Sequence, residues 1–437
     1  MTTCAKAAGY RGVWYWNQAT DDEYRYKYSG GLGTYCAKHI PLAVYSAEVG
    51  KTFFCYGGAS ESGSLLHVVS CHDHKTGMLP RPTILLDKAT GDAHDNPVIS
   101  LDDAGYVWVF SPSHGTGRLS FIHRSREPYS VDAFEPTYEG NFSYPQPWHS
   151  PGRGFAFLHT RYTERGRELY ISRSRDGLEW EDGGCLAAME MGHYQVSWRW
   201  GNKVGTAFNY HPAPVGLNHR TNLYYIESDD MGRTWRTVSG EAVQTPLTAV
   251  GNPALVHDYA AEGRLVYLKD LNFDAQGRPV VLYLTSGGWE PGPAGGRRVW
   301  EVAHWTGERW RITAITESDS NYDTGCLHVE EGGAWRLIGP TEPGPQLRNP
   351  GGEMAMWTSD DEGRSWKMVR RLTRGSARNH TYARRPVDAH PDFYAFWADG
   401  HGRRPSESCL YFCTADGAVR RMPAEMPDDF APAEVVS

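Results

Sequence analysis

The pattern Ser-x-Asp-x-Gly-x-Thr/Ser-Trp constrains this chain more than any other feature. It occurs in full at Ser228–Trp235 and Ser359–Trp366, and one residue shorter at Ser174–Trp180. Each copy lies between runs rich in Val, Ile, Tyr and Trp, so each is expected to be the turn of a β-hairpin. The residue types fit that role. Aspartate accepts from backbone N–H groups a few residues on, glycine takes the positive φ of the turn, and tryptophan packs between neighbouring sheets. Long helical periodicity is absent. Short apolar runs such as Tyr106–Phe110, Gly154–Leu158, Leu223–Ile226 and Val280–Leu284 alternate instead with Gly, Asp and Pro clusters. The chain reads as all-β.

A looser repeat opens at His39, His94, Tyr144, His193, Gly251, Tyr322 and His380, with successive spacings of 55, 50, 49, 58, 71 and 58 residues. These are close to the roughly 40–50-residue period of a four-stranded blade plus its loops. The sharper pattern resembles the Asp-box of sialidase-type propellers. Together the two repeats predict a seven-bladed β-propeller with four-stranded antiparallel blades. It would span residues 1–437 as a single domain, with a short acidic C-terminal tail from about residue 424.

With 44 Lys+Arg against 52 Asp+Glu, the chain lacks the basic balance of a nucleic-acid binder. No apolar run reaches the roughly 18 residues of a membrane span, and the N-terminus has no apolar leader segment. As written the sequence reads as cytoplasmic, or as secreted or periplasmic if a leader has been removed. Eight cysteines without a CxxC pair read as buried thiols rather than a disulfide framework.

In antiparallel blades, the start of the innermost strand and the end of the next share one face. That places His94, Tyr144, His193 and His380 with His114, His159, Arg161, Tyr210, His211, Asp399 and His401 around a central funnel. A funnel rich in His, Tyr and Arg suits an anionic substrate. Ordinary glycoside hydrolysis needs two carboxylates about 5–9 Å apart, and Asp95, Asp323 and Asp399 form no evident pair. Arg161, Arg199 and Arg384 could pose as a sialidase triad, but the N-terminal arginine motif of sialidases is not evident. β-Elimination on a uronate fits better: it needs a cation for the carboxylate, a base at C5 and an acid at O4.

The segments Gly9–Gln18, Tyr28–Tyr35 with His39-Ile-Pro, His94–Ser100 through Phe110–Gly115, and Trp397–Gly402 resemble the BNR-repeat propeller family that contains ulvan lyases and rhamnose-α-1,4-glucuronate lyases. The likeness runs from about residue 9 to 415. It implies a lyase that cleaves a rhamnosyl-glucuronate or ulvan-like linkage to a 4,5-unsaturated uronate, using two histidines about twenty residues apart with a tyrosine and an arginine. His94 and His114 match that spacing. Tyr144 and Arg161 are the leading candidates for the other two roles, with Tyr162, Tyr194, Tyr210 and Arg199 as alternatives. Arg161 would neutralise the carboxylate with His94 assisting, while His114 or Tyr144 exchanges protons with C5 and O4. Asn96, Gln146, His193, Tyr194, Arg199, Tyr210, His211 and Arg384 are the expected substrate-binding residues.

The resemblance also brings alternatives. A related branch is an exo-α-L-rhamnosidase thought to use a histidine on the opposite face, and His39 lies in the right part of the chain. A non-catalytic carbohydrate-binding propeller is a third reading. The chemistry needs no cofactor, although the family sometimes carries a structural zinc or calcium. Cys326-Leu-His328 puts two ligand types on one side of a strand, with His304 as a third. His72-Asp-His74, just before Gly77, reads as solvated turn residues. The expected partner is an acidic glycan, bound by a monomer or weak homo-oligomer.

Overall fold

The computed structural model describes residues 2–436 and is all-β. Among the described residues the only helices are three short 3-10 turns, Ala93–Asp95, Gly216–His219 and Gly292–Gly295. The strands form one two-stranded ribbon, Trp14–Ala19 with Tyr26–Gly31, and seven larger sheets that succeed one another along the chain. Their innermost strands are Ala43–Ser46, Val98–Leu101, Ser143–Ser150, Gln195–Trp200, Leu265–Phe273, Cys326–Val329 and Asn379–Arg384. Each innermost strand pairs antiparallel with the next strand of its own sheet. This is the architecture of a β-propeller.

Aromatic contacts hold each sheet against the next. Trp108 meets Phe155 at 5.5 Å, Trp148 meets Trp198 at 4.8 Å, and Tyr225 meets Trp310 at 5.7 Å between ring centres. The last sheet returns to the first through Phe393 and Phe54, 5.5 Å apart. Such pairs add to the large apolar area that each ring removes from water.

The Asp-box turns are built as their residue types require. In the Ser228–Trp235 copy, Asp230 accepts from the backbone N–H groups of Arg233 and Thr234, both at 2.9 Å, and the Ser228 hydroxyl accepts from Gly232 N–H at 2.9 Å. Gly232 has φ +76°, and a Cβ there would lie 2.2 Å from Ile171 of the preceding sheet. In the short copy, Trp180 wedges between Phe110 of one sheet and Phe157 of the next. Asp230→Ala is expected to lower stability by about 1–2 kcal/mol, because turn N–H groups lose a charged acceptor. A denaturant midpoint shifted at unchanged slope would check this.

The sequence expectation needs four adjustments. Four sheets have four strands, but the first, fourth and seventh carry additional short strands. The repeat at Gly251 does not open an inner strand: Leu255–His257 adds to the fourth sheet beside Thr221–Ser228, and the fifth sheet starts at Leu265. The segment after residue 424 is not a free tail, since Phe430–Pro432 pairs with Met78–Pro80 and Glu434–Val436 with Val419–Arg421. Nor is His72 a solvated turn residue, and His74, which does stand in the turn, is half-buried. His72 is buried in the strand Leu65–Asp73, and His74 packs on His390 with ring centres 3.8 Å apart.

Candidate active site

A pocket of about 100 Å³ lies where the inner ends of the sheets converge. Every large sheet or the loop leading into it contributes to the wall: Lys38, His94, Tyr144, Tyr194, Tyr267, Tyr322 and Tyr382 come from successive ones. The lining includes seven tyrosines, the two histidines His94 and His114, and the four cations Lys38, Arg167, Arg220 and Lys269. It includes no Asp or Glu.

The histidine pair is fixed by two aspartates. His94 sits in the 3-10 turn Ala93–Asp95, whose N-cap, Asp92, accepts from His94 backbone N–H. The same carboxylate accepts from Nδ1 of His94 at 2.7 Å and from Nδ1 of His114 at 2.8 Å. The two rings stack with centres 4.2 Å apart. Asp95 accepts from His114 backbone N–H at 2.7 Å and is itself clamped by Arg118. Burial alone would raise the Asp92 carboxyl, but the two imidazoles outweigh it and hold the group far below the usual carboxylate range. Burial lowers His94 against the opposing pull of Asp92. With both Nδ1–H groups directed at Asp92, each Nε2 carries the lone pair. That of His94 accepts from Tyr35 at 2.7 Å, whereas that of His114 is free toward the pocket.

Tyr144 lies 6.1 Å from His114 between ring centres, its hydroxyl 3.4 Å from those of Tyr162 and Tyr194. Burial, reinforced by these phenols, raises its pKa well above the ordinary value, so it stays protonated. Tyr144 and Tyr382 both have positive φ, +50° and +54°. Both lie within register shifts of their inner strands, and both line the pocket. Left-handed backbone at bulky residues is costly and gathers at functional sites.

Arg167 opens the strand Gly166–Ser174, donates from Nε to the Tyr162 hydroxyl at 3.0 Å, and lies over the Tyr162 ring. Arg220 is buried and stacks between Tyr194 and Tyr267 at 5.0 and 4.7 Å. Among the described residues, no carboxylate comes within 4.0 Å of the charged nitrogens of Arg167, Arg220, Lys38 or Lys269. Burial brings Lys38 down to about 7 and lowers Lys269 as well, with Lys38 adding to the Lys269 shift. Two arginines without a carboxylate partner in a phenol-lined pocket are the electrostatic complement of an anion.

Several expected residues lie elsewhere. Arg161 pairs with Asp182 at 2.7 Å and stacks on Tyr170, away from the pocket. Successive strand residues point to opposite faces, and it is the neighbouring Tyr162 that faces inward. Asn96 and Gln146 are buried and donate to backbone carbonyls of Leu32 and Tyr35, and of Lys38 and Gln195. His193 bridges Asn209 O and Met189 N. Arg199 pairs with Asp388, and Tyr210 packs on Tyr224. His211 lies behind Tyr194, 5.1 Å between rings. Arg384 donates to the His39 carbonyl deep on the axis. His159, His380 and Asp399 are likewise taken up by Ser172, by Trp397 and Ser376, and by Arg378. Of the expected set, His94, His114, Tyr144 and Tyr194 line the pocket. His39 is fully buried, bonded to Asn96 O and packed on Tyr144.

The expected metal triad does not form. Cys326 Sγ approaches His328 Nε2 at 4.0 Å, but His304 lies between Asp274 and Arg311, bonded to both. His328 instead stacks on Tyr394 at 3.7 Å.

The missed residues have three separate origins. Starts of third strands share the face of inner-strand starts, and Arg167 and Arg220 stand at or just before two such starts. Tyr267 and Lys269 were hidden by the misplaced fifth repeat. Asp92 precedes the quoted His94 motif by two residues, and only its cap geometry reveals it.

Fold and site together define a β-propeller with a cationic, tyrosine-rich axial pocket. The chain belongs to the BNR repeat-containing family, which matches residues 67–318. It is 22% identical over 314 residues to an ulvan lyase of Nonlabens ulvanivorans, a match covering 63% of this chain and 64% of that relative. Its fold is similar to that of a solved PL25 ulvan lyase, with a TM-score of 0.72 and 15% identity over 94% of this chain and 96% of the other. A PL25 ulvan lyase bound to -[GlcA(1-4)Rha3S]- matches with the same figures. The polysaccharide lyase Uly1 matches with a TM-score of 0.59 and 11% identity over 94% of this chain and 97% of that one.

Proposed function

We propose that this protein is a polysaccharide lyase that cleaves a uronic-acid-containing glycan by β-elimination, at a rhamnosyl-glucuronate or ulvan-like linkage. The observation that carries the reading is the pocket itself: two arginines, two buried lysines and a His–His–Tyr cluster, with no carboxylate among the lining residues. The absence of a carboxylate pair from the wall disfavours ordinary glycoside hydrolysis. The kinship to ulvan lyases points the same way, and we read each of the seven larger sheets as one blade of a single propeller domain.

In this reading Arg167 receives the uronate carboxylate, which lowers the cost of negative charge developing at C5. His114 Nε2 takes the C5 proton. The C4–O4 bond breaks as the C4=C5 double bond forms, and the Tyr144 phenol donates its proton to the departing O4. Asp92 holds both imidazoles in the tautomer that keeps Nε2 unprotonated. The burial of His39 and its bond to Asn96 O disfavour it as a catalytic group on a second face.

The test is the product. Incubation with ulvan and other rhamnose- and glucuronate-containing glycans is expected to raise near-ultraviolet absorbance as the 4,5-unsaturated uronate forms. New reducing ends without that absorbance would indicate hydrolysis, and binding without cleavage a lectin-like propeller.

A further inference from the structure

We infer that the face opposite the pocket carries a binding site for a borderline divalent cation such as zinc, formed by His74, His390 and Asp392. His74 follows the strand Leu65–Asp73 of the first sheet, while His390 and Asp392 lie in the turn between Asn379–Arg384 and Ala395–Gly400 of the last. Those chain positions share the face on which inner strands end, with His74 N–H donating to Gly50 O in the turn after Ala43–Ser46, whereas the pocket lies at inner-strand starts. The site therefore spans the seam where the ring of sheets closes.

Three observations carry the inference. One ligand atom from each of the three residues lies within 4.8 Å of the others, so small side-chain movements bring them to a common centre. The Thr52 hydroxyl bonds His74 Nε2 at 2.8 Å, which orients the ring as an outer partner of a metal-bound imidazole does. That leaves His74 Nδ1, which is buried and has no hydrogen-bond partner. Other buried histidine nitrogens in the structure also lack a partner, but that of His74 lies in a cluster with two further ligand groups, where an ion would satisfy it. His72, 4.7 Å from His74 between ring centres, also has an unpartnered buried Nδ1 and is the nearest further imidazole. Two imidazoles and one carboxylate, without thiolate, suit zinc, cobalt or nickel rather than calcium or magnesium.

A cation held across this seam acts as a staple, stabilising the folded ring because the unfolded chain lacks the site. The pocket cluster Asp92, His94 and His114 is the competing location, since its ligand atoms are equally close. Zinc binding to the metal-stripped full chain is measured by equilibrium dialysis, alongside Tm and the visible spectrum of the cobalt form. The expected result is one zinc per chain in both wild type and His114→Ala, with a Tm raised by zinc. His390→Ala is expected to weaken binding about tenfold or more and to abolish the Tm shift. The exposed Asp392→Asn gives a smaller loss and serves if His390→Ala does not fold. The inference is overturned if wild type binds no zinc, if neither seam variant weakens binding, or if His114→Ala alone removes it.

Discussion

His114→Ala is expected to lower kcat/KM by about three orders of magnitude while leaving the fold intact. Loss of a positioned general base costs roughly 10²–10⁴-fold, and His114 is the imidazole whose Nε2 stays free toward the pocket. Its side chain is partly exposed, and its bonding partner there is a single carboxylate, so the Tm should barely move. His94→Ala is less discriminating because that ring is buried under Tyr28 and Tyr35. Asp92→Asn supplies the sharper companion. Removing the charge that both Nδ1–H groups address relaxes the tautomer and withdraws the support that opposes the burial-driven lowering of His94. Activity should fall, and the His94 imidazole should become harder to protonate, moving its contribution to the pH–rate profile to lower pH. Steady-state rates across pH, read as unsaturated product, decide it. Wild-type activity in His114→Ala would remove the histidine from the chemistry.

Arg167→Ala is expected to cost about 10²–10³-fold in kcat/KM, the effect of deleting one donor aimed at developing negative charge. Arg161→Ala, six residues away, should stay within about twofold, because a surface ion pair contributes little. Arg167→Lys should recover only part of the loss: lysine keeps the charge but not the planar fork that grips a carboxylate through two hydrogens. The contrast between the two arginines is the stronger measurement, since both lie in the same hairpin and general destabilisation would affect them alike. Equal losses would move the carboxylate site off Arg167.

Much of the architecture was readable because its signals are local. Asp230, Gly232 and Trp235 each meet a requirement of their own turn, so a repeated spacing was enough to imply stacked hairpin sheets. His94 and His114 were readable for a related reason: one precedes an inner strand, the other follows its neighbour, and antiparallel pairing brings such ends together. The arginine was misassigned because the decision between Arg161 and Arg167 depends on side-chain alternation and on where a hairpin turns, which composition does not record. Lys269 and Tyr267 were lost with the Gly251 repeat, whose Asn-Pro turn leads into an edge strand. Asp92 shows itself only through its cap geometry, and the left-handed conformations of Tyr144 and Tyr382 accompany register shifts that composition does not record.

The meeting of the chain ends bears on the order in which the molecule acquires its properties. Tyr10 N–H donates to Pro423 O and Arg81 N–H to Asp429 O, so the first sheet is completed only by the last residues of the chain. Individual sheets are hairpins of near neighbours and can form early. The pocket cannot, because its wall runs from Asn17 to Tyr382 and takes a contribution from every large sheet or its entry loop. Joining segments this far apart costs chain entropy before it returns any contact, the step that slows folding in proteins rich in non-local pairs. Secondary structure should therefore precede activity during refolding, with catalytic competence the last property to appear, as the ring shuts.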